Sequence, residues 1–248
     1  MKKRRILGSF VSAGSFKDFI EGIFSLSEDY KSSYICVCNV HMLVEAQREN
    51  NFNEILNNAD ITTPDGMPVT KVLSWRYKVK QERVSGMDLL PELMKECANR
   101  NKSIYLYGST NKVLEEIIKR VNKEFSKLKI ASKSPPFRLL TDKENLDIVK
   151  EINHFNPDFV FVALGCPKQE KWMAQNKEII NSCMIGLGGA FSVYAGLQNR
   201  APKWMSNNSL EWLYRLLLEP NRLFGRYFFT NSLFIWYICQ YIFKKYNK

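Results

Sequence analysis

The run Phe159-Val160-Phe161-Val162-Ala163-Leu164 is apolar without interruption, and a strand of that kind needs both faces of its sheet covered. Similar short runs recur along the chain, each followed by an amphipathic stretch. That alternation specifies an α/β fold: a Rossmann-like, mostly parallel sheet flanked by helices. Strands are expected over 5–11, 34–38, 60–63, 103–107, 129–133, 158–164 and 182–186, and helices over 16–27, 40–49, 67–76, 88–100, 111–126, 143–155 and 168–176. Ser15, Asp88 and Asn111 stand where helix N-caps belong. Pro157 closes one helix ahead of its strand.

The chain has 248 residues, 45% of them hydrophobic, enough for one sizeable core with an appendage. Thirty-six basic against 25 acidic side chains leave a net charge of +11, which favours anionic partners: nucleic acid, acidic lipid or phosphorylated small molecules. The six cysteines form no CxxC pair and suit buried thiols in a reducing compartment rather than a disulfide framework. With His41 and His154 as the only histidines, the Cys/His spacing of a structural zinc site is absent. The basic start Lys2-Lys3-Arg4-Arg5 and the apolar residues after it resemble a signal peptide. The apolar run is short and soon meets Lys17 and Asp18, so a first strand is the better reading.

After residue 195 the character changes. Residues 1–195 read as the α/β catalytic core and 196–248 as a helical appendage, with eight basic residues against Glu211 and Glu219 and many aromatics from Tyr227 to Phe243. Arg215, Arg222 and Arg226 share one helical face if Pro220 starts a new helix. Phosphate binding, contact with anionic lipid and simple solvation all fit that set. The segment 233–243 is too short to span a bilayer, which takes about 20 apolar residues. Either it lies at a membrane interface ahead of Lys244-Lys245, or it packs on the core.

Four turns carry candidate chemistry. In Thr63-Pro64-Asp65-Gly66 a strand ends and a tight turn leads into a helix, the position where open α/β sheets bind ligands. Asp65 there is either a helix cap or a functional carboxylate. In Glu82-Arg83-Val84-Ser85-Gly86, Arg83 is either a solvated loop residue or a bidentate grip on phosphate. Tyr107-Gly108-Ser109 is a strand, Gly turn and helix start able to hold a phosphate or ribose, though neither it nor Gly186-Leu187-Gly188-Gly189 is a GxGxxG dinucleotide signature. In Gly165-Cys166-Pro167-Lys168-Gln169-Glu170, Lys168 and Gln169 are placed to face a ligand at a helix N-terminus.

Together these segments resemble the WecG/TagA/CpsF family of bacterial glycosyltransferases. The resemblance runs in order through nearly the whole chain: Asn39 with Ala46, Asn58-Ala59-Asp60, Pro64-Asp65-Gly66-Met67-Pro68-Val69, Glu82-Arg83 with Gly86 and Asp88, Gly108, Gly165 to Glu170, Gly188-Gly189-Ala190-Phe191, Ala195-Gly196, Arg200 to Trp204, Glu211-Trp212, Arg215, Glu219-Pro220, Arg222 and Arg226-Tyr227. It implies an inverting transferase that moves a hexosyl unit from a UDP-sugar to a polyprenyl-diphosphate-linked sugar. Such an enzyme is expected to be cytoplasmic and peripheral on the inner face of the cell membrane, where it serves cell-surface polysaccharide synthesis. It further implies Asp65 as general base, a pocket formed by Asn39, Arg83, Gly108, Lys168 and Gln169, and Arg215, Arg222 and Arg226 near the diphosphates. No cofactor and no metal are expected, and the sequence has no Asp-x-Asp metal-holding motif.

One position departs from the family pattern: Val37 stands where many members carry Thr. The lost hydroxyl makes UDP-glucose or UDP-galactose the expected donor, with UDP-N-acetylmannosamine or its uronic acid as the alternative. A homo-oligomer is compatible with all of this. Two non-catalytic readings compete. A nucleic-acid binder would account for +11 but calls for aromatics and cations on one exposed platform, whereas most aromatics here lie in apolar strands or the terminal segment, so no nucleic-acid partner is expected. A lipid-binding module would leave Asp65 dispensable.

Overall fold

A computed structural model describes residues 1–29, 32–207 and 210–246, except the side chains of Lys203, Asn207, Arg222, Arg226 and residues 242–246. Six parallel strands form the central sheet: β3 (Ser33–Cys38), β4 (Ile61–Pro64), β5 (Ile104–Gly108), β6 (Ile130–Lys133), β7 (Phe159–Ala163) and β8 (Cys183–Gly186), in the order β4-β3-β8-β7-β5-β6. The expected strand over 5–11 is instead a hairpin of β1 (Lys2–Ile6) and β2 (Ser9–Ala13), pairing Lys2 with Ala13 and Ile6 with Ser9. Leu7 and Gly8, with φ of 47° and 81°, reverse the chain as two-residue hairpin turns require. The hairpin covers the β4 edge, where the Thr62 backbone N–H donates to Ser12 Oγ.

Alternation along the strands builds two cores. Ile104, Leu106, Phe159 and Phe161 face one cluster, and Tyr105, Tyr107, Val160 and Val162 face the other. The first is covered by α1 (Phe16–Asp29), α5 (Gly86–Asn99), α6 (Asn111–Glu124) and α9 (Ala190–Tyr194). The second is covered by the hairpin, α2 (Val40–Arg48), α3 (Asn50–Asn58), α4 (Met67–Tyr77), α7 (Asp142–Phe155) and α8 (Lys168–Asn176). Helices α10 (Lys203–Asn207), α11 (Glu211–Leu218) and α12 (Pro220–Tyr246) follow the last strand.

Ser15 caps α1 as expected, exchanging hydrogen bonds with Asp18. Asn111 does not cap α6: Thr110 does, its hydroxyl accepting from the Val113 N–H. Asp88 is not a cap either. Helix α5 begins two residues earlier, because Gly86 and Met87 already adopt helical backbone.

Helix α12 settles where the terminal segment lies. Phe234 is buried in the second core, with Leu233, Tyr237, Ile238 and Tyr241 packed around it. Its other side stays open: Phe228, Ile235 and Trp236 are 70%, 62% and 58% exposed. Among the described residues no helix is long and apolar enough to cross a membrane.

Candidate active site at the carboxyl edge of the sheet

Strands β3 and β4 end side by side, with Cys38 opposite Pro64, and the Asp65 N–H donates to the Cys38 carbonyl at 2.8 Å. Asn39 and Asp65 therefore leave the sheet as neighbours. Asn39 caps α2 through its side chain, accepting from the Met42 N–H at 3.1 Å. Asp65 does not play the corresponding part for α4. The N-cap there is Gly66, at φ 87°, with no side-chain cap bond. The Asp65 carboxylate accepts no hydrogen bond from the described residues, and burial raises its pKa to about 6, helped by the Glu211 carboxylate and opposed by Arg215 and Arg83. A carboxylate so placed is desolvated, basic and free to accept a proton.

Arg83 is no solvated loop residue. Its guanidinium donates to Glu211 Oε2 at 2.7 Å and to Asp88 Oδ2 at 3.1 Å. Asp88 also accepts from Ser85 Oγ at 2.6 Å and pairs with Arg200. Arg215 lies 3.8 Å from Glu211 and reaches Met87 Sδ at 3.7 Å. Helix α11 thus brings Glu211 and Arg215 over the loop that carries Arg83. The result is a mixed network of three arginines and two carboxylates beside Asp65, in which Arg83 is held by acidic side chains that a phosphate would have to displace.

On the other flank the expected pair splits. Lys168 is exposed at the start of α8, whereas Gln169 is 5% exposed and turned into the sheet edge. Its Nε2 donates to Glu170 Oε1 at 2.6 Å and its Oε1 accepts from the Gly165 N–H at 3.3 Å. The side chain lies over Gly186 and Gly188: a Cβ on Gly186 would meet Gln169 Nε2 at 2.9 Å. Glu170 is wholly buried next to the Cys166 thiol, and burial pushes its pKa up to about 7. Burial likewise pushes the Cys36 and Cys38 thiols up.

Gly108 has a structural reason of its own. At φ 109° it lets β5 approach β7 so closely that a Cβ would lie 2.5 Å from the Ala163 carbonyl oxygen. The neighbouring Ser109 N–H is used on that same carbonyl, so the turn offers a ligand less than the sequence suggests. Beyond it, Asn111, Leu114, Glu115, Ser132, Lys133 and Ser134 line an open depression of about 320 Å³ at the same edge of the sheet. Arg222 and Arg226 lie on α12, with side chains outside the described set.

The residues missed as candidates are Glu211, Asp88 and Glu170. Glu170 directly follows Gln169, but nothing in an acidic first turn of a helix announces full burial. Glu211 is distant in sequence from every strand end and reaches the site only through the path of α11.

The sequence profile of the glycosyl transferase WecG/TagA/CpsF family matches residues 4–248. An N-acetylglucosaminyldiphosphoundecaprenol N-acetyl-beta-D-mannosaminyltransferase of Bacillus subtilis is 32% identical over 210 residues, 84% of this chain and 79% of the relative. The protein of the same name from Bacillus spizizenii is 33% identical over 77% of this chain and 74% of its own length. That from Staphylococcus aureus is 28% identical over 88% and 85%. These names fit the alternative donor, N-acetylmannosamine, rather than the glucose or galactose expected from Val37. Val37 itself is buried in the first core, in the same cluster as Ile35, Val84 and Met87, where an apolar side chain serves packing. Matched over residues 4–248, the chain belongs to the WecG/TagA/CpsF family of glycosyl transferases.

Proposed function

We propose that this protein transfers N-acetylmannosamine from its UDP conjugate to a polyprenyl-diphosphate-linked sugar, with Asp65 as general base and no metal ion. The observation that carries the reading is Asp65 itself: a carboxylate at the carboxyl edge of the sheet, relieved of any capping bond and raised to about 6. It takes the proton of the acceptor hydroxyl as that oxygen attacks the anomeric carbon. The bond from that carbon to the UDP oxygen breaks on the opposite face, and its electron pair leaves with UDP. Arg83 and Arg215 offset the charge that grows on the diphosphate, Arg83 by exchanging Glu211 and Asp88 for phosphate oxygens. Donor identity rests on the relatives' names; the buried packing role of Val37 removes the argument for a neutral hexose.

The exposed apolar side of α12 supports peripheral attachment to the inner face of the cell membrane, where a polyprenyl acceptor resides. A panel of UDP-sugars assayed for UDP release with a polyprenyl-diphosphate-N-acetylglucosamine analogue tests the reading. UDP-N-acetylmannosamine should turn over and UDP-glucose and UDP-galactose should not; preferential use of either hexose overturns the donor assignment. Full activity of Asp65→Ala would overturn the mechanism.

A further inference from the structure

The net positive charge of the core is not spread evenly over it. Residues 1–14 carry Lys2, Lys3, Arg4 and Arg5 and no acidic residue, and residues 67–81 carry Lys71, Arg76, Lys78 and Lys80 and again none. The fold joins these two segments. The Tyr77 hydroxyl donates to the Arg5 carbonyl at 2.8 Å and accepts from the Arg5 N–H at 2.9 Å. The Arg4 guanidinium lies 4.9 Å from the centre of the Tyr77 ring and that of Arg76 at 5.3 Å. Arg76 also sits 3.9 Å from the Tyr241 ring, so the patch runs on into α12.

Lys3 turns inward, its ammonium donating to the Ala59 carbonyl at 2.6 Å. Lys2, Arg5, Lys71, Lys78 and Lys80 are exposed, and none of them forms an ion pair among the described residues. Met1, Phe10 and Trp75 are exposed among them. Unpaired cations interleaved with a few exposed apolar and aromatic side chains match a lipid headgroup layer, where lysine and arginine meet phosphate and tryptophan sits at the interface. A nucleic-acid strand fits worse, because Tyr77 and Tyr241 already carry guanidinium groups on their faces and are not open for bases to stack on.

We propose that the cationic patch where β1 meets Tyr77 and α12 meets Arg76 at the end of α4 binds anionic phospholipid headgroups, giving the protein a charge-selective membrane contact besides the apolar side of α12. The inference rests on the peripheral membrane reading above and adds the lipid class to it. Helix α4 starts beside Asp65 and its eleven residues span about 16 Å, so docking at its far end fixes how far the active site stands from the headgroups.

The full chain and its Lys2→Gln/Lys78→Asn/Lys80→Gln variant are to be sedimented with phosphatidylglycerol vesicles and with phosphatidylcholine vesicles at low salt. Each cation near an anionic surface strengthens binding about fivefold, so the variant should bind phosphatidylglycerol vesicles about a hundredfold more weakly. Binding to phosphatidylcholine, which rests on α12, should not change, and neither should turnover of a water-soluble short-chain acceptor, which reports an intact fold. Independently of any variant, 1 M salt should abolish the preference of the wild-type chain for phosphatidylglycerol. A loss of less than threefold, or equal loss on both vesicle types, overturns the patch and leaves peripheral attachment through α12 standing. Failure of the wild-type chain to bind either vesicle overturns both. Tighter patch-dependent binding of a single-stranded oligonucleotide than of phosphatidylglycerol overturns the lipid assignment.

Discussion

In the proposed mechanism the Asp65 carboxylate is tuned by two opposing influences. Burial and the Glu211 carboxylate raise the Asp65 pKa, while Arg215 and Arg83 hold it down. A base that gains its proton near pH 6 is ionised at neutral pH and still strong enough to receive a hydroxyl proton. Asp65→Asn keeps the shape and removes the proton acceptor, so kcat should fall by about two to four orders of magnitude; a loss below tenfold would assign Asp65 to structure. In the wild-type protein log kcat/KM should rise with pH through about 6 and then level, the sign expected when the ionised form is active. Glu211→Gln removes a like charge and should shift that limb to lower pH, which a pH profile of the variant would detect. In the proposed mechanism Arg83 and Arg215 take up the leaving diphosphate without a metal, so EDTA should leave activity intact, and loss restored by magnesium or manganese would overturn the metal-free mechanism.

The elements were legible to different degrees, for reasons particular segments make plain. Phe159–Ala163 and Ile104–Gly108 announce themselves because a strand buried on both faces has no polar side to confuse the pattern. The hairpin of β1 and β2 did not, since Leu7 stands at a left-handed position that sequence assigns to Gly or Asn. Helix α3, Asn50–Asn58, was missed because six of its nine residues are Asn or charged and only Phe52 and Leu56 are buried. In α12 the large apolar side chains divide between two jobs that composition cannot separate: Phe234 packs on the core, while Ile235 and Trp236 face outward. The two sides should respond oppositely to substitution. Phe234→Ala should cost about 3–5 kcal/mol in urea unfolding, as loss of a buried Phe does. Ile235→Ser/Trp236→Ser should leave the unfolding midpoint near wild type and cut sedimentation with phosphatidylcholine vesicles; unchanged sedimentation would remove α12 from the membrane contact.

At the scale of the whole molecule, the candidate site is an edge of the sheet where β3 and β4 end side by side and where a helix from far along the chain reaches over the Arg83 loop. The strand ends were readable because turn chemistry is local; the Arg83–Glu211 closure was not, because 128 residues separate its partners. Burial at that edge also leaves a signature in global stability. Glu170 is enclosed with Gln169, Cys36, Cys38 and Cys166, and its carboxyl holds a proton up to about pH 7 in the folded protein but only to about 4.3 in an unfolded chain. The folded state therefore binds more protons between those values, so the contribution of Glu170 to stability is full below about pH 4 and declines as pH rises toward 7. Asp65 acts with the same sign up to about pH 6. Glu170→Gln replaces the protonated acid by a neutral side chain of the same shape. Its unfolding free energy should fall less than that of the wild type between pH 5 and pH 8, with the two curves drawing together or crossing as pH increases. Parallel curves over that range would show that Glu170 is ionised inside the fold and that Gln169 is held by a charged rather than a neutral carboxyl.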